Sequence, residues 1–296
     1  MKTLIYIDHW AEIHDAQGAI RQRITRLIES GHDVFVAFHC TQTSDALQHW
    51  LGPLQLDANR VVLSEQGTSV ATLDVSEAMD WAESHGVDAF EYWSDTPGIL
   101  TANLEFVPDA RLVRRLHYLE AMEVAALGGL PFSANLVLRA QGLGLEVHIL
   151  AYHLKGLWGT WIGESSDEEA NIKLISVRGG CTVISISSLR MVGTVGFLAR
   201  IFNAFEAHGL GVDLVSTSES TVTMTIDSRG LQPTAAKLDA LLRDLERGCA
   251  VQVLHDCVSI RLIGRHIRST LPQIASALAV FESERLVLVT QASNDL

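Results

Sequence analysis

The sequence predicts an α/β protein in which a domain with a largely parallel sheet is followed by two smaller units of the βαββαβ type. Short apolar segments alternate with amphipathic ones between residues 3 and 93, as they do where strands and helices form layers. Residues 181–254 follow the order strand, helix, two strands, helix and strand, which is a split βαβ unit. A weaker copy of its start lies 76 residues further on, at Cys257.

The first domain is assigned to residues 1–160, and the smaller units to residues 171–254 and 255–296, the last of them incomplete. Strands of the first domain are predicted at residues 3–7, 34–38, 61–63, 89–93 and 146–150. Its helices are predicted at residues 15–30, 44–51 and 73–85, with two more within residues 116–150. Residues 156–170, rich in glycine and then acidic, have the composition of a connection between domains, where Trp158 and Trp161 would pack.

The most regular pattern lies at the start of the first smaller unit. A strand-like alternation leads into a glycine-containing loop at residues 191–196, and a helix follows with apolar residues at spacings of three and four. Gly209 stands where a helix-ending glycine is expected. Two strands come next, at residues 210–216 and 221–227. In the last unit a strand is predicted at residues 257–264, a helix at 271–281 and a strand at 286–290.

This pattern contains the parts of a small-molecule site. Gly193 and Gly196 allow the backbone to approach a ligand closely. The amides that open the following helix have no partner within the helix, and the positive end of the helix dipole lies behind them, so they suit a carboxylate. Asp213 and Glu219, on or beside the next strands, offer negative charge to ammonium groups. These parts together fit a basic amino acid.

A plainer explanation of the same spacing is that Met191 and Phe197 are core residues and that Glu219 lies in a solvated turn. From spacing alone we favour that explanation.

Composition and charge narrow the class of protein. The net charge is −13 and there is no basic block, which argues against nucleic acid or an anionic membrane as a partner. No apolar run approaches the roughly 20 residues of a membrane span, and the N-terminus lacks the pattern of a signal peptide. The four cysteines form no C-x-x-C pair, which suggests buried thiols in a reducing compartment. We therefore expect a cytoplasmic protein.

The first domain is rich in histidine, which raises the question of a metal site. The side chains concerned are His9, His14, His32, His39 and His49, together with Asp8, and they would also suit an acid–base role. Their spacing matches no established ligand motif, so we expect no metal site.

The stretch S-x-R-M-x-G-x-x-G-F-L-A-R-I-F, followed by V-D-L-V-S-T-S-E, resembles the first ACT domain of aspartokinases, in particular of the lysine-sensing kind. The resemblance implies a ferredoxin-like ACT domain, a second and incomplete one after it, and a homodimer whose paired ACT domains bind an amino acid at their interface. It also favours the ligand explanation over the plainer one. The residues that it implies for lysine binding are Met191, Thr194, Gly196, Phe197, Leu198, Val212, Asp213, Ser218 and Glu219.

The segment Y-W-S-D-T-P-G-I-L-T-A-N, from Tyr92, resembles the C-terminal half of an aspartokinase kinase domain, which has the amino-acid-kinase fold. In that family the W-[ST]-D-x-x-G turn lies against the nucleotide. The resemblance therefore implies the remnant of a nucleotide site at Trp93, Ser94, Asp95 and Gly98. Either the remnant still binds something or the turn is retained because it is needed for folding, and we favour folding.

The sequence departs from that family where phosphates would be handled. Its Lys-Phe-Gly-Gly-Thr-Ser strand and turn has no counterpart, and its phosphate-facing lysine falls on Leu130. In the substrate loop the arginine position falls on Glu65 and the acidic position on Ser69. Phosphoryl transfer depends on positioning and on cations that stabilise the phosphates. We therefore expect a truncated, degenerate kinase domain without catalytic residues and without a cofactor.

The function predicted is that of an aspartokinase-like regulatory protein in aspartate-family amino-acid biosynthesis, with lysine as the expected effector and a complete aspartokinase as a further partner. The alternative is an active aspartokinase that transfers the γ-phosphoryl group of ATP to the β-carboxylate of L-aspartate, with ATP and Mg as cofactors. The sequence leaves open whether lysine, threonine or methionine binds, the size of the oligomer and the role of residues 1–60.

Overall fold

The computed structural model describes residues 1–8, 17–38, 50, 52–54, 61–62, 74–153, 159–165, 171–226, 235–265, 267 and 277–290. The chain divides into two compact units. The first comprises Met1–Ile175 with Leu262–Arg265, and the second comprises Ser176–Arg261 with His266–Leu296. The predicted fold class is confirmed, because a largely parallel sheet with helices is followed by an antiparallel sheet with helices. The division of residues 171–296 into two ACT domains remains a prediction.

The first unit is built on one seven-stranded sheet. Its strands are β1 (Lys2–Ile7), β2 (Asp33–Phe38), β3 (Val61–Val62), β4 (Ala89–Ser94), β5 (Arg115–His117), β6 (Glu146–Ala151) and β7 (Gly159–Gly163). They lie in the order β3-β2-β1-β4-β6-β7-β5. The first five strands of that order are parallel, and β7 runs antiparallel to β6 and parallel to β5. The strands predicted at 3–7, 34–38, 89–93 and 146–150 are confirmed.

The helices of this unit are α1 (Gln17–Glu29), α2 (Val75–His85), α3 (Tyr118–Ala126) and α4 (Ala134–Leu143). Asp74 starts α2 through a capping box, in which its carboxylate accepts the amides of Ser76 and Glu77 at 2.8 Å and Glu77 caps in return. Gly86 ends the same helix in the left-handed conformation. The helix predicted at 44–51 and the substrate-loop positions Glu65 and Ser69 lie outside the described residues, apart from Trp50, which is helical.

Successive residues of a strand point to opposite faces, so the apolar strands supply two cores. Leu4, Tyr6 and Phe90 belong to one buried cluster, together with residues of α2, α3 and α4. Ile5 and Val36 belong to the other, together with residues of α1. Because both faces of the central strands are buried, these strands appear in the sequence as continuous apolar runs rather than as alternating ones.

The expected connection at residues 156–170 is wrong for its central part, which is strand β7. Ile162 is fully buried, and Trp161 stacks on His148 with the ring centroids 3.8 Å apart, inside the first unit. Gly159 explains the misleading composition: a Cβ at this position would lie 1.9 Å from the carbonyl oxygen of Ile149. The glycine allows two strands to approach closely instead of marking a linker. Trp158 lies outside the described residues.

The second unit follows the predicted order of elements. It contains β8 (Leu174–Ser187), α5 (Phe197–Ala207), β9 (Val212–Thr217), β10 (Thr221–Ile226), α6 (Ala235–Leu245) and β11 (Ala250–Ile263). The first residues of β8 and the last residues of β11 are assigned to the first unit. The sheet order is β11-β8-β10-β9, so β9 is an edge strand. Apolar residues of α5, α6 and the sheet form one core, which includes Ile184, Ile201, Phe205, Val222 and Leu241.

One prediction near the C-terminal end is confirmed with changed bounds, and another is wrong. The strand expected at residues 257–264 is present at 257–263 as the second half of β11, which begins at Ala250 and in which Asp256 takes a φ of 56°. The strand expected at 286–290 is not formed: residues 284–290 have neither helix nor strand, and Val289 is 70% exposed. A strand needs a neighbour for its backbone hydrogen bonds, and apolar alternation does not supply one. Of the helix expected at 271–281, residues 277–278 are helical and Ala279–Ser283 form a 3-10 turn.

Candidate functional site

The loop before α5 is shaped by two glycines in the left-handed region. Gly193 has a φ of 69° and Gly196 a φ of 78°. A Cβ at either position would meet nothing within 4 Å, so their backbone conformation rather than lack of space calls for glycine. Gly196 is the N-cap of α5 and supplies no side-chain cap. The amide of Phe197 donates to the carbonyl of Thr194 at 3.4 Å, and no side chain of the N-cap residue caps the amides that follow it at the positive end of the helix dipole.

Apolar side chains surround this helix start. Phe197 is buried, and the guanidinium of Arg200 lies 5.7 Å from the centre of its ring. Leu198 and Phe202 are each 38% exposed on the next face of α5, and Val195 is fully exposed. Donor groups next to exposed apolar side chains suit a ligand with a carboxylate and an aliphatic stem.

The start of β9 meets this loop and helix. Met191 and Val212 pack against the core that contains Phe197, which brings together three of the predicted ligand residues. Asp213, the next residue along β9, accepts a hydrogen bond from the guanidinium of Arg261 on β11. The two side chains are 15% and 25% exposed, respectively, so the ion pair is largely withdrawn from water.

Ser218 and Glu219 lie at the other end of β9, in the turn to β10. The amide of Ser218 donates to the carbonyl of Thr221 at 2.8 Å, and the amide of Thr221 donates to the Ser218 hydroxyl at 3.2 Å. Both predicted ligand residues are exposed. Ser218 lies five positions after Asp213, roughly 16 Å away at about 3.3 Å per position in an extended strand. One chain therefore does not bring the two ends of the predicted site together.

The predicted nucleotide remnant follows β4, and contacts within the fold account for most of it. The indole of Trp93 donates to Glu91 at 3.1 Å, and the Ser94 hydroxyl accepts the amide of Thr96 at 3.1 Å. Gly98 has a φ of 108°, and a Cβ there would lie 2.7 Å from the hydroxyl oxygen of Thr160. Asp95 is the one member of the set that is exposed. These contacts favour a role in folding.

Sequence reasoning named Asp8 as a candidate but missed its contact with Tyr92 at the carboxyl ends of β1 and β4. The phenol of Tyr92 donates to the carboxylate of Asp8, and burial followed by this contact raises the pKa of Tyr92. The sheet order changes direction between these two strands, which is where open α/β sheets bind ligands. The available signal was an aspartate placed directly after a buried strand.

A second missed cluster is a buried ion pair. The ammonium of Lys173 donates to Glu120 at 2.9 Å and to the carbonyl of Arg115 at 3.0 Å. Glu120 also accepts the amide of His117 at 2.8 Å, while its other carboxylate oxygen is buried without a partner. The side chains of Lys173 and Glu120 are only 5% and 2% exposed. This pair fixes the start of α3.

Within the described part of the chain, no group of three His, Cys, Asp or Glu side chains is arranged to hold a metal ion. Of the five histidines considered above for a metal site, His32 is the one within the described residues. Its ring nitrogen lies 3.2 Å from the Thr3 hydroxyl. Over the same residues, the helices are too short or too polar to cross a membrane.

Comparisons with known proteins show which proteins this chain is similar to. The model of the ACT domain family matches residues 184–240, which span α5, β9 and β10. Aspartokinase 2 of Arabidopsis thaliana, a chloroplastic enzyme, is 30% identical over 215 residues, which cover 71% of this chain and 38% of the enzyme. The lysine-sensitive aspartokinase 3 of Escherichia coli is 28% identical over 188 residues, 63% of this chain and 42% of the enzyme.

The fold agrees with these relatives. The structure of E. coli aspartokinase III in complex with lysine and aspartate matches with a TM-score of 0.65 and 24% identity, over 85% of this chain and 59% of that one. This chain thus spans about 40% of the length of the two curated relatives. It is a relative of the aspartokinases, similar to them over about 70% of its own length, and it carries an ACT domain.

Proposed function

We propose that this protein is a regulatory, non-catalytic relative of aspartokinase that binds lysine through its ACT domain in the cytoplasm. The observation that carries the proposal is the junction of the 191–196 loop, α5 and β9. There a helix start without a side-chain cap meets the apolar side chains of Met191 and Val212, and Asp213 follows Val212 along β9, in the segment matched as an ACT domain. The curated relatives include a lysine-sensitive enzyme, which makes lysine the first ligand to test.

Each part of this junction matches one part of the ligand. The carboxylate of the amino acid would accept hydrogen bonds from the opening amides of α5, next to Thr194 and Gly196. Its aliphatic stem would contact Met191 and Leu198. An ammonium group would bind Asp213, the acid that follows Val212 on β9 and is 15% exposed.

A second copy of the chain would complete the site. β9 is an edge strand whose unpaired groups favour pairing with another strand. Antiparallel pairing of two β9 strands about a twofold axis would bring the Asp213 end of one strand near the Ser218 end of the other. The acidic Glu219 would then lie near the ligand as well. This pairing supports the proposal of a homodimer formed through the ACT domains.

The first unit supports the non-catalytic part of the proposal. Leu130, at the position where the family has a phosphate-facing lysine, packs against the apolar core. Removing one group that stabilises the transition state costs on the order of 3–4 kcal/mol, a factor of a hundred or more in rate. Such a protein would act in aspartate-family biosynthesis by forming a mixed oligomer with a complete aspartokinase.

The second candidate is an active aspartokinase that uses ATP and Mg. The turn Trp93–Gly98 favours it, because this turn follows β4 at the carboxyl edge of a parallel sheet.

Calorimetric titration of the full chain with lysine, threonine, methionine and ATP tests the proposal, together with an assay for ATP-dependent acyl-phosphate formation from aspartate. We expect heat from lysine, no heat from ATP and no acyl phosphate. Aspartate-dependent turnover would return the protein to the catalytic candidate. Separately, co-purification with a complete aspartokinase tests the mixed oligomer, and failure to isolate such a complex would remove that part alone.

A further inference from the structure

We propose that Arg261 competes with the amino-acid ligand for Asp213 and thereby weakens the affinity of the site for lysine. This inference rests on the proposed function, since it concerns the group that would receive the ligand's ammonium. When no ligand is bound, the guanidinium of Arg261 on β11 takes the place of that ammonium at Asp213. Arg261 was not among the residues predicted for the site.

The contact is specific, because it joins opposite edges of the sheet. β11 and β9 are separated by β8 and β10, so two strands in the plane of the sheet would hold Arg261 and Asp213 too far apart. The C-terminal half of β11, which contains Arg261, must therefore turn out of that plane. Two left-handed residues mark the change of direction, Gly180 in β8 with a φ of 70° and Asp256 in β11 with a φ of 56°. This change of direction allows the guanidinium of Arg261 to reach the carboxylate of Asp213.

The chemistry of the two partners makes them alternatives. A guanidinium and an ammonium are both cationic donors, and each would bind the same carboxylate. Arg261 bonds one oxygen of Asp213 and neutralises its charge. A second cation that approaches Asp213 is then repelled by the first, in a place where water screens the charges only in part. Lysine would therefore bind well only after Arg261 has moved away.

The competition lowers the apparent affinity by the fraction of molecules in which Asp213 is unpaired. Ion pairs exposed to solvent contribute little, and a pair largely withdrawn from water is costly to break from one side only. We expect removal of the guanidinium to tighten lysine binding by about three- to tenfold, where tenfold corresponds to about 1.4 kcal/mol.

The experiment is calorimetric titration of lysine into the full chain and into four variants. Arg261→Met keeps most of the aliphatic stem and removes the charge, and Arg261→Gln removes the charge but keeps a polar end. Arg261→Lys keeps a cation. Arg247→Met is the matched control, because Arg247 forms an exposed pair with Asp244 at 3.4 Å elsewhere in the same unit. Thermal unfolding checks that every variant is folded.

We expect tighter binding in both charge-removing variants, and affinity close to that of the unmodified chain in Arg261→Lys and Arg247→Met. If the unmodified chain binds lysine while Arg261→Met and Arg261→Gln bind it equally or less well, the competition is refuted and the proposed function stands. If neither the unmodified chain nor any variant binds lysine, the proposed function fails, and this inference fails with it.

Discussion

A Cβ added to Gly159 on β7 would lie 1.9 Å from the carbonyl oxygen of Ile149 on β6. No L side chain fits at that distance, and the obstacle is backbone in the centre of a sheet rather than the end of a flexible side chain. The glycine therefore determines whether the antiparallel edge of the first unit, β7 with β5, can join the parallel part.

Gly159→Ala should destabilise the protein by more than about 2 kcal/mol, since β6 and β7 would have to separate. Gly142→Ala in α4 is the matched control, because a Cβ there meets nothing within 4 Å and alanine favours a helix by roughly 0.5–1 kcal/mol. Urea unfolding measures both changes. Equal stability of the two variants would contradict the close approach of β6 and β7.

The buried side chain of His148 should make the free energy of unfolding depend on pH. It is 2% exposed, neither ring nitrogen has a hydrogen-bond partner, and burial, with the charges of Arg23 and Arg115, lowers its pKa to about 3. The unfolded chain, with a histidine pKa of about 6.5, takes up the proton first as the pH falls. Stability from this group is therefore complete above pH 6.5 and is lost toward pH 3, by about 2 kcal/mol at pH 5.

Urea unfolding at pH 7 and pH 5 tests this, with His148→Phe as the matched variant. Phenylalanine keeps the ring that stacks on Trp161 and removes the titrating group. The unmodified chain should lose about 2 kcal/mol more than the variant between the two pH values. The same loss in both proteins would assign the acid sensitivity to other groups.

In the buried ion pair of Lys173 and Glu120, we expect removal of one charge to destabilise the protein more than removal of both. Lys173→Met alone leaves a carboxylate buried without a cation and should cost about 3–5 kcal/mol. Adding Glu120→Gln removes that charge, and the new carbonyl still accepts the amide of His117, so much of the stability should return. Chemical denaturation measures the single and the double variant. An additive loss in the double variant would show that the two charges are not coupled in the native state.

Periodicity predicted the parts of the fold whose burial follows a regular pattern. The apolar runs of β1 and β4 and the amphipathic spacing of α5 were sufficient, because burial itself produces those patterns. β7 was missed because a close approach of two backbones demands glycines, which also mark linkers. Residues 286–290 have the apolar alternation of a strand but do not form one.

The site was predicted in its local parts and missed in its distant contacts. The loop glycines, the start of α5 and Asp213 lie within a short stretch whose motif is visible in the sequence. Arg261 is 48 residues from Asp213, and nothing in the spacing of the two residues indicates that they meet. The separation of Asp213 from Ser218 likewise depends on the extended conformation of β9, a property of the folded strand.

The central claim is that the ACT domain binds lysine through Asp213. The most direct test is calorimetric titration of lysine into the unmodified chain, into Asp213→Asn and into Asp244→Asn, where Asp244 is an acid on α6 whose side chain is 44% exposed. We predict binding to the unmodified chain and to Asp244→Asn, and at least a tenfold loss of affinity in Asp213→Asn, since a charge-assisted bond is worth about 1.5–3 kcal/mol. Absence of lysine binding in the unmodified chain, or unchanged binding in Asp213→Asn, would contradict it.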